Sequence, residues 1–198
     1  MSHPVPAESE ATMGKLVYLM NVSLDGYVET PAHSLDWTVV DEELHRWFGD
    51  RSRETDAFLY GRRIYEVMNA FWPTAESLPS APEYIIDFAR VWNATPKIVF
   101  STGLDHVDGN SRLVSGDVDD VLARLRAEFP GELSVAGPTL AAQFIQRGLV
   151  DEYRVVVHPV ILGAGLPFFP GLETPVGLRL TETRQFASGA MYLGYVPA

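Results

Sequence analysis

Four short apolar runs constrain this chain more than any other feature: KLVYLMNV (15–22), AFLY (57–60), KIVF (97–100) and LSVA (133–136), each followed within four residues by a glycine. Runs of this length with little alternation suit strands buried on both faces. Two of them open directly into segments of helical pattern, at Gly61-Arg62-Arg63 and at Gly137-Pro138. Strands alternating with helices predict an α/β fold with a largely parallel central sheet and helices on both faces.

The remaining pattern fills in that frame. A helix is expected over 41–52, where Leu44, Trp47 and Phe48 recur at helical spacing behind an acidic first turn. A short helix over 62–68 follows, then a loop bracketed by Pro73, Pro79 and Pro82. Pro82 can open another helix carrying Ile85, Phe88, Ala89 and Trp92. Residues 111–114 read as a strand, and Asp117 as the cap of a helix with Val118, Val121, Leu122, Leu125 and Phe129 on its apolar face. Pro138 begins a helix and Gly148 sits just past its end. Strands are expected over 152–162, 178–186 and 190–196, the last two forming an antiparallel C-terminal hairpin through Ala187-Ser188-Gly189. Residues 30–40 read as a loop, residues 1–13 as a disordered leader, and 14–198 as one domain.

Composition narrows the partners. A net charge of −11 opposes nucleic acid and anionic membranes, and no apolar run approaches the roughly 18 residues a spanning helix needs. With no cysteine there is no disulfide, thiolate nucleophile or Cys-ligated metal. The five histidines (His3, His33, His45, His106 and His158) are scattered, so no metal is expected. The opening residues lack the basic region and apolar stretch of a secretory signal, and a cytoplasmic location is the expectation. Gly163-Ala164-Gly165 imitates part of a dinucleotide fingerprint, but Pro167 and Pro170 stand where its helix should begin.

Three strand ends could hold a dinucleotide. At Gly61-Arg62-Arg63, free amide N–H groups and the positive end of a helix favour phosphate, and the arginines add charge-assisted bonds. Ser101-Thr102 offers hydroxyls to a ribose or its 2′-phosphate, though both residue types also simply form turns. Gly137-Pro138-Thr139-Leu140 is a second strand-to-helix junction small enough for a pyrophosphate to approach the backbone. Each also reads as a plain turn or capped helix start. Their shared position beyond the carboxyl ends of strands suits one long ligand.

These segments, in this order, resemble the dihydrofolate-reductase-like superfamily, and more closely the RibD C-terminal reductase domains. The likeness covers about residues 15–196. It is carried by S-L-D-G-Y-V from Ser23, Asp36-Trp37, L-Y-G-R-R-I-Y-E from Leu59, V-F-S-T from Val99, A-G-P-T-L from Ala136, and D-E-Y-R-V-V-V-H-P-V-I-L-G-A-G from Asp151 with Phe168-Phe169 after it. The resemblance implies an NADPH-dependent reductase of a small heterocyclic or carbonyl substrate, and a homodimer. It implies that Gly61, Arg62 and Arg63 approach the phosphates and Ser101 and Thr102 the adenosine 2′-phosphate. Gly137, Pro138, Thr139 and Leu140 would cover the pyrophosphate and nicotinamide, with residues 22–26 and 159–165 completing the nicotinamide pocket. Asp25, Trp37 and Tyr65 are candidate substrate-pocket residues, with Phe71 and Trp72 as further wall candidates.

Two departures stand out: Ile64 where the family often has threonine, and Ala136 where it often has glycine. Dihydrofolate reductases carry a carboxylate in the first helix, where this chain places Leu44; Glu43 is the nearest candidate for a catalytic acid. Classical folate reduction is therefore not expected. The alternatives are reduction of a phosphorylated ribosylaminopyrimidine of the riboflavin pathway, or nucleotide binding without catalysis.

Overall fold

The computed structural model describes residues 13–198, so the expected leader lies, Met13 apart, outside the described residues. Six strands run parallel in the order β5 (Ser111–Val114), β4 (Lys97–Phe100), β3 (Thr55–Gly61), β6 (Glu132–Ala136), β1 (Lys15–Ser23), β7 (Glu152–His158). The hairpin strands β10 (Met191–Pro197) and β9 (Leu178–Gln185) extend the sheet beyond β7 by antiparallel pairing, giving eight strands in all. The apolar runs lack alternation because both faces are covered. Successive residues of β3 show it: Ala57 and Leu59 pack into one layer, Phe58 and Tyr60 into the other.

One layer is built by α5 (Val118–Glu128) and α6 (Pro138–Gln146), whose Val121, Leu122, Leu125, Phe144 and Ile145 are buried against the sheet. The opposite layer holds α1 (Glu42–Arg53), α2 (Arg62–Asn69), the short α3 (Trp72–Ala75) and α4 (Glu83–Ala94). Asp41 caps α1 by accepting from the Leu44 N–H at 2.9 Å, and Asp117 caps α5 by accepting from Asp119 N–H at 2.9 Å. α1 buries Leu44 and Trp47, spaced to share one face.

Three elements differ from the sequence expectation. β7 stops at His158 rather than running to 162, since Pro159 has no N–H to give a ladder and the Leu162 and Gly163 N–H groups go to the Asp25 carboxylate at 3.1 and 2.7 Å. α3 forms inside the proline-bracketed loop because Pro73 is tolerated in a first helical turn. β2 (Tyr27–Glu29) and β8 (Leu166–Pro167) form a small antiparallel ribbon where no strand is expected. Gly165 permits it: with φ at +155°, any Cβ there would lie 1.9 Å from the Glu29 carbonyl oxygen.

The connectivity positions the site. The chain leaves β1, lays down β3, β4 and β5 in one direction, then returns to insert β6 between β3 and β1. That reversal brings the carboxyl ends of β1, β6 and β3 together, where open α/β sheets bind ligands.

Candidate active site

Two uncapped helix starts flank this crevice. α2 follows β3 through Gly61 and α6 follows β6 through Gly137, neither with a side-chain cap bond. Their first-turn N–H groups have no partner within the helix and point past the strand ends. Gly137 takes φ +93°, and a Cβ on it would press to 3.3 Å from Ile64 Cγ2. Its N–H reaches Met20 Sδ at 3.3 Å, fixing the junction against β1.

Beside these starts lies a cleft lined by Gly61, Arg63, Gly137, Pro138, Thr139 and Leu140, with Val28, Glu29 and His33 opposite. Thus six of the nine expected cofactor contacts share one wall. Arg63 is held by Glu29, its Nη1 2.7 Å from Oε1 and its Nη2 on Oε2. His33 Nδ1 lies 2.7 Å from the same Oε1. Burial alone would raise the Glu29 pKa, but the bonds from Arg63 and His33 outweigh it and hold the carboxyl below its ordinary range.

Arg62 points along the outside. Its Nε bonds Glu66 Oε1 at 2.7 Å, and its Nη1 passes 3.6 Å from where a Cβ on Gly103 would sit. It therefore reaches toward the Ser101–Thr102 turn at the end of β4. There Ser101 Oγ accepts from the N–H groups of Gly103 and Leu104 at 3.1 and 3.2 Å, and Thr102 is exposed.

A second, larger cavity of about 310 Å³ opens between the sheet and the α1 to α4 layer. Its walls are mainly apolar: Leu19, Val40, Phe48, Phe58, Met68 and Trp72 among them. Met20, Leu35 and Ile64 line both this chamber and the strand-end cleft, so the two meet at one apolar seam. Among the described residues, no Asp or Glu lines the chamber.

The other candidates lie elsewhere. Glu43 faces away from the chamber toward the β9–β10 connection, accepting from Arg184 Nη2 at 2.9 Å and from Ala187 N–H at 3.0 Å. Tyr65 is buried in the Phe58–Trp92 core, and its hydroxyl accepts from Asp108 N–H at 2.8 Å. Asp25 ties Ser23, Leu162 and Gly163 together, so the 22–26 and 159–165 segments brace each other. Trp37 meets His158 edge-on at 5.6 Å. Phe71 is exposed, whereas Trp72 does line the chamber.

Sequence reasoning passed over Met20, Leu35, Glu29, His33 and His45. For His45 a signal existed: His45, Phe48 and Ser52 recur at helical spacing as a second stripe beside Leu44, Trp47 and Arg51. Among the described residues there is no group of three or more His, Asp or Glu able to hold a metal, and no helix long and apolar enough to cross a membrane.

Comparison with known proteins agrees with this architecture. The chain is 28% identical to the uncharacterized protein YyaP of Bacillus subtilis over 183 residues, covering 91% of this chain and 94% of that protein. A putative riboflavin biosynthesis protein from Shewanella sp. PV-4 superposes with a TM-score of 0.72 at 22% identity, over 94% of this chain and 99% of the other. The dihydrofolate reductase of Enterococcus faecalis, solved with NADP(H), gives a TM-score of 0.64 at 14% identity over 93% and 97% of the two chains. The RibD C-terminal domain profile matches residues 15–192, and the chain belongs to that family.

Proposed function

We propose that this protein is an NADPH-dependent reductase of a small heterocyclic or carbonyl substrate. The observation that carries the reading is the seam: Met20, Leu35 and Ile64 join a cleft suited to phosphates to a chamber suited to a flat ring. A dinucleotide laid across the strand ends would present its nicotinamide at that seam, beside anything held in the chamber. The E. faecalis enzyme of similar fold is solved with that cofactor.

The residues present fit such a ligand. The free N–H groups of Thr139 and Leu140 and those opening α2 suit a pyrophosphate, with Arg63 beside them. Arg62, Ser101 and Thr102 would meet a 2′-phosphate at the end of β4, where the Arg62 side chain approaches Gly103. Ile64 offers no hydroxyl to a phosphate but gives an apolar surface to a ring. Bound NADPH supplies a hydride. The chain's part is to hold ring and substrate in register and to keep water out, which accounts for much of the rate in such reactions.

Calorimetric titration with NADPH tests the reading, and no binding up to millimolar cofactor would overturn it. We also propose a homodimer through β9, which among the described strands pairs with β10 alone and presents exposed Leu180 and Thr181 at the sheet edge. A monomer mass by light scattering across micromolar concentrations would refute that.

A further inference from the structure

The chamber's polar groups decide what it can take. Of those lining it, Arg51 is held by Glu182 at 2.8 and 3.0 Å, and Thr55 Oγ1 lies 3.2 Å from Glu132 Oε1. Tyr60 Oη accepts from Trp92 Nε1 at 3.2 Å, and Asn21 Oδ1 accepts from His158 Nε2 at 2.8 Å. His45 is different. Its Nδ1 is buried with no partner from any other described residue. Its ring sits among Trp72, Tyr84 and Phe88, at centroid distances of 5.9, 5.1 and 5.4 Å.

The arginines nearby are matched by acids. Along α1, Arg46 pairs with Glu42 and Arg53 with Asp50, at 2.9 and 2.6 Å. Across α4 the neighbouring ionisable groups are Glu83, Tyr84 and Asp87, and Lys97 Nζ is turned onto the Trp92 carbonyl at 2.8 Å. An anionic substituent in the chamber would lose its hydration, and the one Lys or Arg among the described residues lining it, Arg51, is already held by Glu182. Burying such a charge unpaired is far costlier than burying a hydrogen-bonded carbonyl.

We infer that the chamber takes an uncharged planar ring whose carbonyl or ring-nitrogen edge is read by His45, and that it rejects phosphorylated or otherwise anionic analogues. This deepens the reductase reading above and rests on it for the role of the chamber. It separates this chain from reduction of a phosphoribosyl substrate, although the fold is shared. His45 also borders a polar groove of about 180 Å³ between α1 and α4, with Arg46, Asp50 and Asp87 around it. Its ring therefore stands between that groove and the chamber, and burial lowers its pKa, leaving it a neutral hydrogen-bonding group at neutral pH.

The test follows the His45 imidazole resonances by NMR, assigned by their loss in H45Q, while 1,4-naphthoquinone or its 2-sulfonate is added. The absence of cysteine removes thiol addition to the quinone. The neutral quinone is expected to move the His45 signals, with the sulfonate binding about tenfold more weakly or worse. H45L should weaken quinone binding, read by tryptophan fluorescence, about fivefold, and H45Q should keep most of it. Equal or tighter binding of the sulfonate, silence of the His45 signals with both probes, or wild-type affinity in H45L overturns the inference. NADPH titration of the same samples separates the two readings. A quinone that binds while NADPH does not leaves the chamber assignment standing and removes the reductase.

Discussion

Arg63 grips Glu29 with both arms of its guanidinium across the mouth of the strand-end cleft, tying α2 to the β2–β8 ribbon. Glu29 is 5% exposed and lies at the start of the loop that carries Leu35 to the seam. The pair therefore both closes the cleft and neutralises the cation nearest the expected pyrophosphate. Glu29→Gln should lower stability by about 1 kcal/mol, the low end for charged hydrogen bonds because Arg63 is half exposed to screening solvent. The same change should tighten NADPH severalfold, since it frees Arg63 and removes a carboxylate from the phosphates. Denaturant unfolding and calorimetry check the two signs separately; weaker NADPH binding in a folded variant would show that Glu29 assists the cofactor.

Gly137 offers a sharper test of the cleft. Its φ of +93° strains any side chain, and the new methyl would also press on Ile64 at 3.3 Å. Gly137→Ala should cost about 1–3 kcal/mol of stability and weaken NADPH by more than tenfold. Gly148, with φ +67° and nothing within 4 Å of a Cβ, is the matched control. Gly148→Ala carries only the backbone cost, about 1 kcal/mol, and should leave cofactor affinity unchanged.

Much of this architecture was readable because burial on both faces writes itself into composition. β3, β4 and β6 stand out as apolar runs, and Asp41, Asp117, Pro138 and Gly148 mark helix ends by local chemistry. The β2–β8 ribbon was not readable, because its stability comes from a long-range approach at Gly165 and not from strand propensity. The site divides the same way. Gly61 and Gly137 announce themselves through the junctions they make, whereas Leu35 reaches the seam only because a loop folds over the sheet. Glu43 shows the limit of adjacency: one residue from the buried Leu44 on a helix is about 100° around the axis, enough to turn it toward Arg184 and Ala187.

Glu43→Gln should accordingly leave kcat with any substrate unchanged. Its carboxylate serves Ala187 N–H in the β9–β10 connection and Arg184 near the end of β9, and these bonds hold its pKa below the ordinary range. The expected effect is a small drop in Tm from a looser hairpin. A tenfold fall in kcat with unchanged Tm would place Glu43 in the chemistry and require α1 to turn toward the seam.

Stability should fall with acid in two stages. Burial lowers the pKa values of His45 and His158, so both stay neutral in the native state below the ordinary histidine value of 6.5. The unfolded chain takes up those protons first. Stability is therefore full above pH 6.5 and declines as pH drops from there toward the folded values. Glu29 and Glu152 act lower. Burial opposes the charge of Glu152, but bonds from Arg154 and Lys15 prevail, as those from Arg63 and His33 do for Glu29, and both folded pKa values lie below the ordinary 4.5. Their contribution is present above pH 4.5 and is lost as pH falls through the folded values. Urea midpoints from pH 8 to pH 3.5 should show both stages. His158→Gln, which can still donate to Asn21, should flatten the upper one, and Glu152→Gln the lower. A midpoint constant between pH 8 and pH 5 would show that the two histidines bind protons alike in the folded and unfolded chains, against the desolvation that their burial imposes.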